Sequence, residues 1–86
     1  MCIRDRSRER GEIDRAIDAY RRVLQVDPLR EESQRQLIET LSNAGRRAEA
    51  LRQYEQLRAL LRRELDITPM PETEDIVQRI RAADSL

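Results

Sequence analysis

Apolar residues along the chain recur at helical spacing, broken at a few well-defined points. Ile13, Ala16, Ile17, Tyr20 and Leu24 fall on one side of a helix. Asp27-Pro28 ends it, because proline has no N–H to continue the ladder and restricts the residue before it. Leu37, Ile38, Leu41 and Ala44 form a second stripe, closed by Asn43-Ala44-Gly45, where glycine tolerates the left-handed backbone that finishes helices. Leu51, Tyr54, Leu57, Leu61 and Leu65 mark the third helix, read as the longest, and Thr68-Pro69-Met70-Pro71 interrupts the chain after it. Pro71 suits a first helical position, and Glu72, Glu74 and Asp75 suit the positive end of the helix dipole. Ile76, Val77 and Ile80 then face inward on a fourth helix. The period-two alternation of strands is absent, so the expected fold class is all-α.

Helix three laid over helix one reveals an internal repeat. Gly11 matches Gly45, Ala16 matches Ala50 and Tyr20 matches Tyr54, each pair 34 residues apart. That is the tetratricopeptide period. The order also suits it: glycine turns the chain between paired helices, alanine permits close approach, tyrosine fills the gap a turn later, and Pro28 closes the first unit. The expected architecture is therefore antiparallel helix pairs in a right-handed helical repeat, about two units plus a C-terminal helix. The second unit departs from the pattern. Leu61 and Arg62 replace Asp27 and Pro28, and Gln34 stands where the repeat favours a large aromatic.

Composition narrows the chemistry. The 86 residues suffice for one small domain, with 38% hydrophobic, 40% charged and only 2% aromatic residues, a profile of solvent-facing helices. The 17 basic and 17 acidic residues cancel, which argues against direct DNA binding by this segment. All the basic residues are arginine, as the codons of a GC-rich genome favour. With no histidine and one cysteine, Cys2, neither a zinc site nor an internal disulfide can be assembled. A catalytic dyad, a phosphate loop and an HExxH motif are also lacking, so the expectation is no enzyme activity, no cofactor and no metal. No apolar run is long enough to span a membrane and no signal-peptide region is visible, so the expected location is the cytoplasm. Carboxylates such as Glu55 near Arg58, or Asp14 and Asp18 near Arg21 and Arg22, suit surface ion pairs.

The opening "MCIRDR" reverse-translates to ATG-TGT-ATA-AGA-GAC-AG plus one base, similar to transposon-end sequence left by library preparation. Residues 1–10 are accordingly read as a non-native or disordered segment, the competing reading being a genuine charged terminus. Residues 11–84 are then expected to form the domain, truncated on its N-terminal side. On this reading the face of Ile13, Ile17 and Tyr20 lacks a neighbour, and the isolated domain is marginally stable or self-associates through that end.

The stretch "DPLREESQRQLIETLSNAGRRAEALRQYEQLRALLRRELDITPMPE" resembles the bacterial transcriptional activator domain, the tetratricopeptide-like module of antibiotic-pathway regulators of the SARP type. The "DPLRE" lead-in, the "AGRRAEALRQYEQLR" helix and the "LRRELDITPMPE" tail occur in the family's order, and the resemblance runs from Asp27 to about Ala82. Met70 departs from it, standing where the family has a small polar cap, which predicts a weaker start for the last helix. The resemblance implies a transcription regulator whose DNA-binding domain lies outside this chain, with this module acting by contact with a protein partner or by self-association. The residues alone leave two alternatives open, a general tetratricopeptide adaptor and a helical appendage of a signalling ATPase or cyclase. In such modules the leading helix of a unit faces the concave side. The candidate partner surface is therefore the polar face of helix two: Glu32, Arg35, Gln36, Glu39, Ser42 and Asn43. A merely solvated face is the competing reading.

Overall fold

The computed structural model describes residues 2–85 of the chain, with side chains described for 10–83. Four helices follow one another: α1 (Cys2–Val26), α2 (Glu31–Asn43), α3 (Arg47–Leu65) and α4 (Pro71–Ser85). Among the described residues there is no strand, and the chain is all-α. Helix α2 is the hub. It packs against α1 on one flank and α3 on another, and it also meets α4, which in turn touches α3. Helices α1 and α3 do not approach each other along their backbones. The molecule is only 17 Å across its thinnest dimension, less than two helix diameters.

The core follows the stripes. Leu37, Ile38 and Leu41 of α2 are fully enclosed, and Ile17 of α1, Ala50, Tyr54, Leu57 and Leu61 of α3, and Val77 and Ile80 of α4 close around them. Ile13, Tyr20, Leu24 and Ile76 lie half-buried at its margin. Leu65 departs from its stripe: in the last turn of α3 it stays 51% exposed.

The interruptions have distinct chemistry. After α1, Pro28 and its neighbours make a short turn, with the Arg30 N–H donating to the Asp27 carbonyl at 3.3 Å. After α2, the Arg46 N–H donates to the Leu41 carbonyl (2.8 Å) and the Gly45 N–H to the Ser42 carbonyl (3.0 Å). This is a Schellman closure, and Gly45 at φ +80° supplies its left-handed residue. After α3 the same backbone region is taken by Asp66 at φ 53°, a residue type that tolerates it.

Two expectations about helix lengths need correction. Helix α1, at 25 residues, is longer than α3, at 19. It also runs straight through Gly11, where the repeat placed a turn. Gly11 has no proline beside it and helix-forming Arg10 and Glu12 on either side, so the cost of about 1 kcal/mol for an interior glycine is the only local obstacle. The expectation for residues 1–10 falls largely on side chains outside the described set; the backbone there continues α1.

The two glycines therefore give opposite predictions. A Cβ at Gly11 meets nothing within 4 Å and gains helix propensity, so Gly11→Ala is expected to raise stability by ~0.5–1 kcal/mol. Gly45→Ala forces a Cβ into the left-handed region and is expected to lower it by ~1–2 kcal/mol. Urea denaturation of the two variants checks both signs; a loss at Gly11 equal to that at Gly45 would show a turn at both.

Candidate interaction surfaces

The polar face of α2 emerges as the helical register requires, with Glu32, Gln36, Glu39 and Asn43 exposed and Arg35 and Ser42 half-buried. The structure divides these residues. Glu39, Ser42 and Asn43 come together with Arg47, Ile76 and Arg79 around a cleft of about 210 Å³ between the end of α2 and α4. Arg35 instead points its Nη1 at the Met70 sulfur, 3.6 Å away. The Gln36 carbonyl is occupied locally, accepting from the Thr40 hydroxyl at 2.7 Å. Glu32 and Gln36 do not line that cleft.

The repeat positions fall in corresponding but unequal surroundings. Ala50 is wholly buried and Ala16 half-buried; Tyr54 is 5% exposed and Tyr20 more open. The cause is neighbour number, since α3 is covered by both α2 and α4 whereas α1 is covered by α2 alone. Tyr54 donates its hydroxyl to Glu74 Oε1 at 2.6 Å, and the Arg81 guanidinium sits 5.7 Å from its ring centroid. Burial first, then the hydrogen bond to Glu74, pushes the phenol up to about 12. Tyr54 is a packing residue tying α3 to α4.

Three polar devices hold the helices in place, and the pattern named the partners of none of them. Glu31, at the start of α2, accepts with Oε2 from the Met70 N–H (2.6 Å) and from the Thr73 hydroxyl (2.7 Å). Met70 precedes the first residue of α4 and Thr73 lies in its first turn. Glu31 thus does from another helix what a glutamate at the third helical position does in a capping box. The acceptor missing from the Met70 side chain is a different one: the Thr73 N–H donates to the Met70 carbonyl at 3.0 Å. Second, buried Gln34 donates through Nε2 to the Pro28 carbonyl (2.9 Å) and accepts through Oε1 from Gln53 (2.7 Å). Third, Arg46 grips Glu49 with two bonds of 2.8 Å and lies 3.5 Å from Asp14 of α1. The Arg46 fork holds the Glu49 carboxyl below its usual range. Arg21 of α1 reaches the same carboxylate at 3.6 Å. Of the group Asp14, Asp18, Arg21 and Arg22 expected to pair along α1, Asp14 and Arg21 reach instead to Arg46 and Glu49, while Glu55 and Arg58 do pair, at 3.6 Å.

Among the described residues no group of His, Cys, Asp or Glu could hold a metal ion, and no helix is long and apolar enough to cross a membrane. What remains on the surface is helix-lined clefts with polar rims.

Comparison with known proteins gives the family. The sequence pattern of the bacterial transcriptional activator domain matches residues 3–81, nearly the whole length. The chain belongs to this family. Two regulators called Regulatory protein AfsR are similar to it, one from Streptomyces griseus at 46% identity and one from Streptomyces coelicolor at 44%, each over 57 residues. Those 57 residues are 66% of this chain and 6% of either regulator. No solved structure matches the chain significantly. A bacterial transcriptional activator domain with this helix order is a regulator's module, as the "DPLRE", "AGRRAEALRQYEQLR" and "LRRELDITPMPE" segments imply.

Proposed function

We propose that this bacterial transcriptional activator domain is the protein-contact and regulatory part of a cytoplasmic transcription regulator, with DNA bound by a domain outside this chain. The observation that carries this reading is the family match across residues 3–81 on a surface whose clefts are walled by helices and rimmed by arginine, glutamate and amides. The domain has no catalytic part in this reading; it acts by holding another polypeptide, either a second regulator or the transcription machinery. The contact surface is the α2/α4 cleft, where Glu39, Ser42 and Asn43 stand beside Ile76 and Arg79. An apolar patch flanked by both signs of charge and by an amide is the composition that orients a partner while excluding water from the contact centre.

The test is made in the intact regulator. Glu39→Ala together with Asn43→Ala removes exposed polar groups, so the fold should keep its stability to within about 0.5 kcal/mol. DNA binding by mobility shift should be unchanged, and activation of a reporter promoter should fall about tenfold, the equivalent of ~1.4 kcal/mol of contact energy. Full activation by this double variant would remove the α2/α4 cleft from the mechanism.

A further inference from the structure

A second surface lies apart from the α2/α4 cleft. Because α1 and α3 both lean on α2 with their backbones apart, bridged by side chains such as Arg21 to Glu49, a groove of about 560 Å³ opens between them with α2 as its floor. That volume is within the range of ~300–1,000 Å³ typical of ligand clefts. Its accessible leucines are Leu24 of α1 and Leu60 of α3, with Pro28 and Ala59 beside them, and fully buried Leu37 of α2 lies beneath. Gln25 of α1 and Gln53 and Gln56 of α3 line its sides, amides that can both donate to and accept from an extended backbone.

The charge of the groove is one-sided on a chain whose total is zero. Among the described residues, its only charged lining groups are Arg21 on the α1 wall and Arg63 on the α3 wall. An adjoining hollow of about 240 Å³ shares Arg21, Gln53 and Gln56 and adds Arg52 and Glu49. Glu49, the one carboxylate of this stretch, is already engaged by the two 2.8 Å bonds from Arg46. Arg21 and Arg63 thus line a trough beside Leu24 and Leu60, each with one long carboxylate contact, Arg21 to Glu49 at 3.6 Å and Arg63 to Glu64 at 3.4 Å, while Arg52 stands in the adjoining hollow.

We propose that the α1/α3 groove binds an extended acidic segment of a partner protein, carrying leucine-sized side chains between Asp or Glu residues. The leucines enter over Leu24 and Leu60, the carboxylates meet Arg21, Arg52 and Arg63, and the amides take the backbone. Arginine suits this role because its planar fork matches a carboxylate with two parallel bonds. This proposal is independent of the α2/α4 cleft: either can fail without the other.

The probe is a fluorescein-labelled peptide, Asp-Glu-Leu-Leu-Asp-Leu, with Asn-Gln-Leu-Leu-Asn-Leu as its uncharged counterpart, titrated with the domain and followed by fluorescence anisotropy at low salt. The acidic peptide should bind at least about tenfold tighter than the uncharged one. Arg21→Glu with Arg63→Glu should abolish that preference, whereas Arg79→Glu in the α2/α4 cleft should change the affinity less than about twofold. Thermal melts establish that each variant is folded. Leu60→Asn supplies a second test, expected to weaken binding of both peptides. Absence of binding, equal binding of the two peptides, equal losses from all the arginine variants, or displacement by millimolar inorganic phosphate would each overturn the proposal. So would sedimentation data showing the groove covered by a second copy of the domain.

Discussion

Leu57→Ala is expected to leave most of the domain unfolded at 25 °C. Leu57 has no exposed surface and lies in the cluster where α3 meets Leu37, Ile38 and Leu41 of α2. Truncating a buried leucine costs ~2–5 kcal/mol, from lost transfer energy plus the cavity left behind. A core of this size supplies a net stability of only ~3–5 kcal/mol, so a single deletion consumes most of it. Far-UV circular dichroism and urea denaturation report the loss directly. Leu65→Ala is the matched control: the same residue type on the same helix, half-exposed, with an expected cost under about 0.5 kcal/mol. Equal losses at the two positions would show that the whole stripe of α3, including its last turn, is packed.

Glu31→Ala is the second large effect, expected to cost ~1.5–3 kcal/mol, the range for a hydrogen bond to a charged group. The substitution deprives the Met70 N–H of its acceptor and leaves the Thr73 hydroxyl, which has no exposed surface, without its 2.7 Å partner. The loss should be concentrated in α4, so hydrogen exchange should quicken there far more than in α1. Glu31→Gln keeps an acceptor oxygen and should recover part of the stability. If Glu31→Ala speeds exchange uniformly along the chain, the capping role is wrong and Glu31 acts only through general helix charge.

The periodicity of apolar residues revealed the helices and most of the core, because burial of one stripe per helix is a local property of sequence. Pro28, Gly45 and Pro71 likewise announced the breaks, since each acts through its own backbone. Gly11 misled because glycine permits a turn without demanding one; the surrounding helix formers decided the matter. Glu31 could not be read at all, because its partners stand at Met70 and Thr73, on the far side of two helices. Gln34 was half-legible. It occupies a core register with Leu37, Ile38 and Leu41, but that register says nothing of Pro28 or Gln53, which satisfy its amide. Of the polar α2 face, the helical spacing found the side, while the division into a cleft at Glu39, Ser42 and Asn43 and a contact at Arg35 depended on where α4 returned.

That return of α4 has a kinetic consequence. The seams α1–α2 and α2–α3 join successive helices, so they close over short loops and form early; the meeting of α4 with α2 closes the longest stretch of chain. Chain closure over that distance is then the rate-setting search, and the Glu31 carboxylate is the catch that retains it once found. Glu31→Ala should accelerate unfolding while leaving the rate of refolding nearly unchanged, and stopped-flow measurements that show slowed refolding instead would place the catch in the nucleus itself.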